Sequence, residues 1–429
     1  MKKRPFMTKQ FFTFLALLLL SLPSHAQQIP LKMRADALPA TKEILDPDDI
    51  VMATTVEEMG SWDRYPSYGV YVEMMRQWVE SYPNLCHMDT IGESLEGRLI
   101  LSLYIDAGGE GYRPEFFYSS TIHGDELTGY VMMLRLIDTL LCSYGRDTAL
   151  TALLNSTRIS INPLANPDGT YRGGNSTIMS CQRENSVGVD LNRNYPDPFN
   201  PTKSSLQQEN QLMIDYFTAH NFRLSANLHG GAEVMNYPWD SFTLEEHPHP
   251  AADWWQEVGR RFVDTARAYD ITHFRDVCAD GVIAGGNYYV IRGGRQDYVN
   301  YYHNCLEMTM ELSKQKVVPC NRLPHYWRLL SKSLINYIGE IHSLPETSGI
   351  SLQGSTPLAV YPNPTRDFVT VSGMEEGILY ELTDVTGHRV PMSVVSQKNG
   401  EVTLNLAPLK PGLYLLRTSK GFSKAIIKY

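Results

Sequence analysis

The sequence predicts a mixed α/β sandwich followed by a small all-β sandwich, and three patterns predict it. Between about residues 60 and 343, apolar runs of strand length alternate with segments of helical period, as in a sheet covered by helices. From Pro357 onward helical period disappears, and short alternating runs (FVTVSG, LYELTDVTGH, VTLNLAPLKPG, LYLLRTS) are separated by turns. Ser119–Gly129, read SSTIHGDELTG, stands between an apolar run (Phe116–Tyr118) and a helical pattern from Tyr130 to Leu141. That puts His123 and Glu126 on the turn at the carboxyl end of a strand, where open α/β sheets place their sites.

The first 26 residues form a secretory signal: Lys2, Lys3, Arg4 and Lys9, an apolar run Phe11–Leu20, and the small-residue site Ser24-His25-Ala26. Ten apolar residues are too few to span a bilayer, which takes about 20, and no later stretch is long enough. Removing the four cations takes the formal net charge from −9 to −13. An acidic chain without a basic stripe excludes nucleic acid as a partner and weakly attracts basic peptides. Residues 27–60 are polar and punctuated by Pro and Asp, and read as an arm or pro-segment. Six cysteines (86, 142, 181, 278, 305, 320) permit up to three disulfides or stand as six buried thiols.

Val72, Met75, Val79 and Tyr82 recur at helical spacing over Tyr68–Tyr82. Arg98–Ile105 reads as a buried strand, and Arg158–Pro163 as another that runs into the turn NPDG (Asn166–Gly169). Ser204–His220 reads as a helix capped by its serine, and Arg223–Leu228 as a strand ending at His229. Pro250–Tyr269 is a helix with Trp254, Val258, Phe262 and Tyr269 on one face. Gly281–Tyr302 has no clear period and reads as a long surface loop. Cys305–Ser313 alternates, with Glu307, Thr309 and Glu311 on its polar side. A last helix, Tyr326–His342, closes the first domain (61–343). Residues 344–356 form a linker and 357–429 the β-sandwich.

An H-x-x-E pair alone is common by chance, so a metal site needs a third ligand and a base. His229, followed by Gly230-Gly231, ends a strand and can supply the ligand. Glu311 and Glu307 are both candidates for the base, and alternation does not choose between them. Arg183 and Arg193, flanking Asp190-Leu191-Asn192, bring two guanidiniums together, a receptor for a carboxylate.

In order and spacing, the His123 turn, NPDG, RENSVGVDLNRNYPD, NLHGGAEVMNYPWD, GGRQDY and NCLEMTMELS resemble the zinc metallocarboxypeptidase family. The resemblance covers about residues 60–343 and favours the regulatory branch, the carboxypeptidase N, E, M and D group. It implies a mixed-sheet α/β/α catalytic domain and one Zn2+ per chain held by His123, Glu126 and His229. It implies Glu311 as general base, Arg183 as oxyanion donor, and Asn192, Arg193 and Tyr289 as the clamp on a peptide's terminal carboxylate. Asp190 matches the carboxylate that orients His123. Asp240 and Gln296 match positions lining the pocket for the last side chain, which favours Arg or Lys. Arg295 stands where that branch usually has methionine; turned into the pocket, its cation would repel basic side chains, and Glu233 would offset it. The tail, with YPNP, PGLYLL and a basic last strand, resembles the C-terminal sorting domain of type IX secretion. That implies passage across the outer membrane and a secreted or cell-surface location. The function expected is a zinc exopeptidase acting on peptide and protein C-termini. Its rivals are a peptidoglycan stem-peptide amidase and a non-catalytic surface protein binding peptide or glycan.

Overall fold

The computed structural model describes residues 45–108, 113–200, 205–303, 305–345, 359–372, 380–384, 388–398, 401–418 and 423–429. The expected signal, residues 27–44 of the arm, Ser204 and most of the linker lie outside them. Among the described residues no helix is long and apolar enough to cross a membrane.

The strands up to Ser313 are β1 Met52–Ala53, β2 Tyr65–Pro66, β3 Cys86–Glu93, β4 Leu99–Ile105, β5 Glu115–Ser120, β6 Arg158–Asn162, β7 Phe222–His229, β8 Ala232–Tyr237, β9 Val282–Ala284 and β10 Leu306–Ser313. The helices are α1 Tyr68–Ser81, α2 Thr128–Ser143, α3 Thr148–Ser156, α4 Pro167–Thr170, α5 Gln208–Ala219, α6 Ala252–Arg267, α7 Gly285–Tyr288, α8 Arg295–Tyr302 and α9 Leu323–Gly339. Eight strands form one mixed sheet in the order β3-β4-β6-β5-β7-β10-β8-β9. Its central pairs β6–β5, β5–β7 and β7–β10 are parallel, so their carboxyl ends meet at one edge. One apolar core joins the sheet to α1, α2, α6 and α9, and a second joins it to α5 and α8. This is the α/β/α sandwich the alternation predicts.

β1 pairs with β2, and Ala53 and Met59 are buried in the first core, so the described part of the arm belongs to the α/β body. In α1 the buried stripe is Tyr71, Met74, Met75 and Trp78, while Val72, Val79 and Tyr82 are only half-buried. In α6 it is Trp255, Val258, Phe262, Val263 and Ala266; Tyr269 stands exposed, past the helix end. α5 starts at Gln208 after Gln207, whose side chain makes no capping bond. β3, α3 and β8 have no counterpart in the sequence reading.

Two corrections concern burial. Gly281–Tyr302 is not a surface loop but β9, α7 and the largely buried α8. Its period was hidden because polar residues (Arg295, Gln296, Asp297) occupy buried positions and find their partners on other elements. Likewise the Glu307–Thr309 side of β10 is buried, because α8 covers it. All six cysteines are free thiols; Cys142 is exposed, so neither disulfides nor six buried thiols describes them.

The tail strands are β11 Ala359–Tyr361, β12 Phe368–Ser372, β13 Tyr380–Asp384, β14 Arg389–Val390, β15 Ser393–Lys398, β16 Glu401–Asn405, β17 Gly412–Thr418 and β18 Ser423–Lys428. They make two four-stranded antiparallel sheets, β11-β12-β16-β15 and β14-β13-β17-β18. Val369, Val371, Leu382, Leu404, Leu416 and Ile426 form their own core.

Candidate metal centre and cleft

The chain leaves β5 at Ser120 and turns through Thr121 into the His123 loop. Gly124 is required there: a Cβ would come within 2.4 Å of the Gly169 carbonyl carbon and 2.6 Å of the Gln182 oxygen. The NPDG segment folds as α4, capped by Asn166, which accepts the Gly169 N–H at 2.9 Å. The Asn166 amide also donates to the Ile122 and Arg183 carbonyls at 3.2 and 3.3 Å, bracing the loop from below. β7 delivers His229 at the same edge, and the parallel register sets Glu311 of β10 directly beside it.

His123, Glu126 and His229 converge, all buried. His123 Nδ1 lies 3.1 Å from Glu126 Oε2 and 3.0 Å from His229 Nδ1, and His229 Nδ1 lies 2.8 Å from Glu126 Oε2. Asp190 Oδ1 sits 3.1 Å from His123 Nε2. Its carboxylate holds the proton on that nitrogen and leaves the Nδ1 lone pair facing inward. Two imidazole nitrogens and a carboxylate oxygen crowded together are poorly satisfied by one proton and well satisfied by one cation. Tetrahedral zinc, with ligands at about 2.0–2.1 Å, spaces neighbouring donors by roughly 3.3 Å, so the donor set fits zinc.

These donors open into a cleft of about 450 Å³ that Arg183, Asp190, Asn192, Arg193, Asp240, Tyr288, Tyr289 and Glu311 also line. Arg183 donates from Nε to Asp190 Oδ2 at 2.9 Å and from Nη1 to Glu126 Oε1 at 3.3 Å. Burial opposes the Asp190 charge, but His123, Arg183 and Arg193 hold it well below the usual carboxylate range. Burial and then the charge of Glu126 push Glu311 well above that range. Its Oε2 is buried with no hydrogen-bond partner among the described residues. Burial pushes His229 down to about 4, so a neutral imidazole faces the centre.

Asp240 is buried in the cleft wall. Gln296 does not line the cleft; it stands behind, donating to Asp240 Oδ1 at 2.8 Å. Arg295 does not enter the pocket either: it is fully buried and paired with Glu307 at 2.9 Å, so the expected repulsion has no source. Glu233 lies on the face of β8 away from the cleft residue Asn236 and pairs with His273 at 3.2 Å, so it offsets nothing in the pocket. The sequence reading missed Asn236, Thr309 and Lys316, which also line the cleft. Lys316 Nζ lies 3.0 Å from Asp125 Oδ2 and 3.4 Å from Glu126 Oε1. Asn236 and Thr309 lie inside the quoted motifs, three residues after Glu233 and two before Glu311; their side of each strand was the available signal.

Residues 71–332 match the family model described as zinc carboxypeptidase. The chain belongs to the zinc carboxypeptidase family. Residues 359–429 match the model of the secretion system C-terminal sorting domain. The chain is 35% identical over 284 residues to mouse carboxypeptidase M, covering 62% of this chain and 63% of that protein. It is 34% identical over 283 residues to mouse carboxypeptidase D, covering 62% of this chain and 20% of that protein. It thus spans less than two thirds of the length of both. Rat carboxypeptidase N catalytic chain is 29% identical over 397 residues, 82% of this chain and 85% of that protein. Among solved structures, Helicoverpa armigera carboxypeptidase A superposes with a TM-score of 0.57 at 18% identity, covering 69% of this chain and 78% of that one. Thrombin-activatable fibrinolysis inhibitor does so with 0.55 at 18%, covering 66% and 74%. At such identities the likeness to these two structures is one of architecture.

Proposed function

We propose that this protein is a zinc-dependent exopeptidase that removes a C-terminal Arg or Lys from peptides and proteins. The observation that carries it is one cleft holding three converging donors, a carboxylate beside them, two guanidiniums and a buried carboxylate in the wall. His123, Glu126 and His229 would hold zinc. Bound there, zinc supplies an acidified water and polarises the scissile carbonyl. Glu311 takes the water's proton and later hands it to the leaving amine. Arg183 donates to the oxygen that becomes anionic, a contribution on the order of 3 kcal/mol per donor. Asn192, Arg193 and Tyr289 grip the terminal carboxylate, which confines cleavage to chain ends. Asp240 pairs with the cationic last side chain.

The tail is the address for export by the type IX machinery, which places the enzyme at the cell surface or outside the cell. The test is a panel of peptides differing only in the last residue, assayed with and without a chelator. Release of Arg or Lys that stops on chelation is expected. Preference for neutral last residues would overturn the role of Asp240, and cleavage of muropeptides in place of peptides would overturn the substrate class.

A further inference from the structure

The first turn of α8 carries an ion pair that the chemistry above does not use. Arg295 and Glu307 are both fully buried and meet twice, Nε donating to Oε1 at 2.9 Å and Nη2 to Oε2 at 3.0 Å. The Ser225 hydroxyl donates to Glu307 Oε2 at 2.8 Å, and the guanidinium carbon lies 5.7 and 5.8 Å from the ring centres of Phe117 and Phe217. Such a fork fixes orientation as well as distance, and here it locks α8 to β10 and β7. Arg295 Nη1 stays buried without a hydrogen-bond partner among the described residues. A buried pair with an unmet donor is a poor stabiliser compared with apolar side chains of similar volume. Its use lies in what it holds.

Three consecutive residues of that turn each hold one part of the cleft. The Arg295 N–H donates to Asn192 Oδ1 at 2.9 Å, which leaves the Asn192 amide to present its N–H groups to an incoming carboxylate. Gln296 accepts the Thr309 N–H on Oε1 at 2.6 Å, and its amide N–H groups therefore reach Asp240 Oδ1 at 2.8 Å and Asn236 Oδ1 at 3.3 Å. Asp297 accepts the N–H groups of Asp240 and Ser241 at 2.7 and 2.9 Å.

We infer that the Arg295–Glu307 pair positions the substrate-binding end of the cleft, setting α8 against the sheet so that Asn192 and Asp240 face the last residue at a fixed separation. This rests on the reading of the cleft proposed above. Arg295 is a positioning residue, acting through Asn192 and Gln296, and touches no substrate.

The experiment uses the zinc-loaded full chain, benzoyl-glycyl-arginine as substrate and free L-arginine as titrant. Arg295→Met should raise KM about tenfold and weaken L-arginine binding to match, with kcat within about twofold and zinc content unchanged. Arg295→Lys, keeping the charge but not the fork, should recover part of the loss. The double variant Arg295→Met with Glu307→Leu should regain wild-type thermal stability and keep the raised KM, which separates positioning from stability even if the single variant folds poorly. A double variant whose KM returns to the wild-type value along with its melting temperature would overturn the inference alone. A wild-type protein that neither cleaves the substrate nor binds L-arginine would overturn the reading of the cleft, and this inference with it.

Discussion

At the scale of single residues, Glu311 carries a proton-transfer step and His249 a pH-dependent share of the stability. Glu311→Gln removes the proton acceptor and keeps the shape, so kcat should fall about 10²–10⁴-fold while zinc content measured by metal analysis stays at one per chain. His249, beside the Trp239 ring, is buried and accepts the Ala251 N–H on Nδ1 at 3.1 Å, which requires the neutral imidazole. Burial depresses it from 6.5 to about 4. Between those values the unfolded chain binds a proton that the folded one does not. Its contribution is therefore complete above about pH 6.5 and is lost as pH falls towards 4, up to about 3 kcal/mol. His249→Gln keeps an acceptor without that titration, so its denaturation midpoint should fall less than that of wild type between pH 7 and 4.5.

At the scale of elements, the site depends on how α7 and α8 close the end of β8. Gly285 opens α7 against Asp240, and a Cβ there would sit 1.9 Å from Asp240 Oδ1 and 2.6 Å from Asn236 Oδ1. Gly285→Ala should therefore raise KM for Arg-terminated peptides at least about tenfold, since the carboxylate must move to clear a methyl group. The facing carboxylates titrate high: burial and then Asp297 push Asp240 well above the usual range, and burial pushes Asp297 to about 6. A cationic last residue needs the charged form, and a raised value means that the charge is lost early on acidification. KM for peptides ending in Arg should rise as pH falls below neutrality, while KM for a peptide ending in a neutral residue should not. Steady-state assays of both substrates across that range check it. Sequence pattern did not reveal α8, because hydrophobic period is the signal for a helix and this one is packed through ion pairs and amides. β8 was missed for a related reason: Ala232–Tyr237 is buried on both faces and follows β7 after a two-residue turn, so its period does not stand apart.

At the scale of the whole molecule, the tail has an apolar core of its own and the cleft lies wholly in the earlier part of the chain. Val369, Leu404 and Leu416 and their neighbours pack among tail residues, while the cleft is built entirely from residues before Val317. A chain ending at Leu344 should therefore keep kcat/KM within about twofold of the full protein and lose export. Comparison of the purified forms, and of culture fractions, checks both. The three buried donors crowd one centre in a geometry that suits a single cation, so a chelator should lower the melting temperature by several degrees. One equivalent of Zn2+ should restore it, as expected for a ligand bound only by the folded state.

By itself the sequence determined the α/β order of the first domain, the β nature of the tail and the identity of the donors. The first two follow from period and turn chemistry, which are local properties of the chain, and the donors from the ordered motifs that resemble the zinc metallocarboxypeptidase family. Tertiary structure alone decided that His123, Glu126 and His229 meet within about 3 Å, that Gln296 stands behind the cleft wall, and that Arg295 turns away from it. Burial and charge pairing depend on what packs across the sheet from distant parts of the chain. A lone arginine beside a pocket motif reads as a repulsive charge until its partner on β10 is in view.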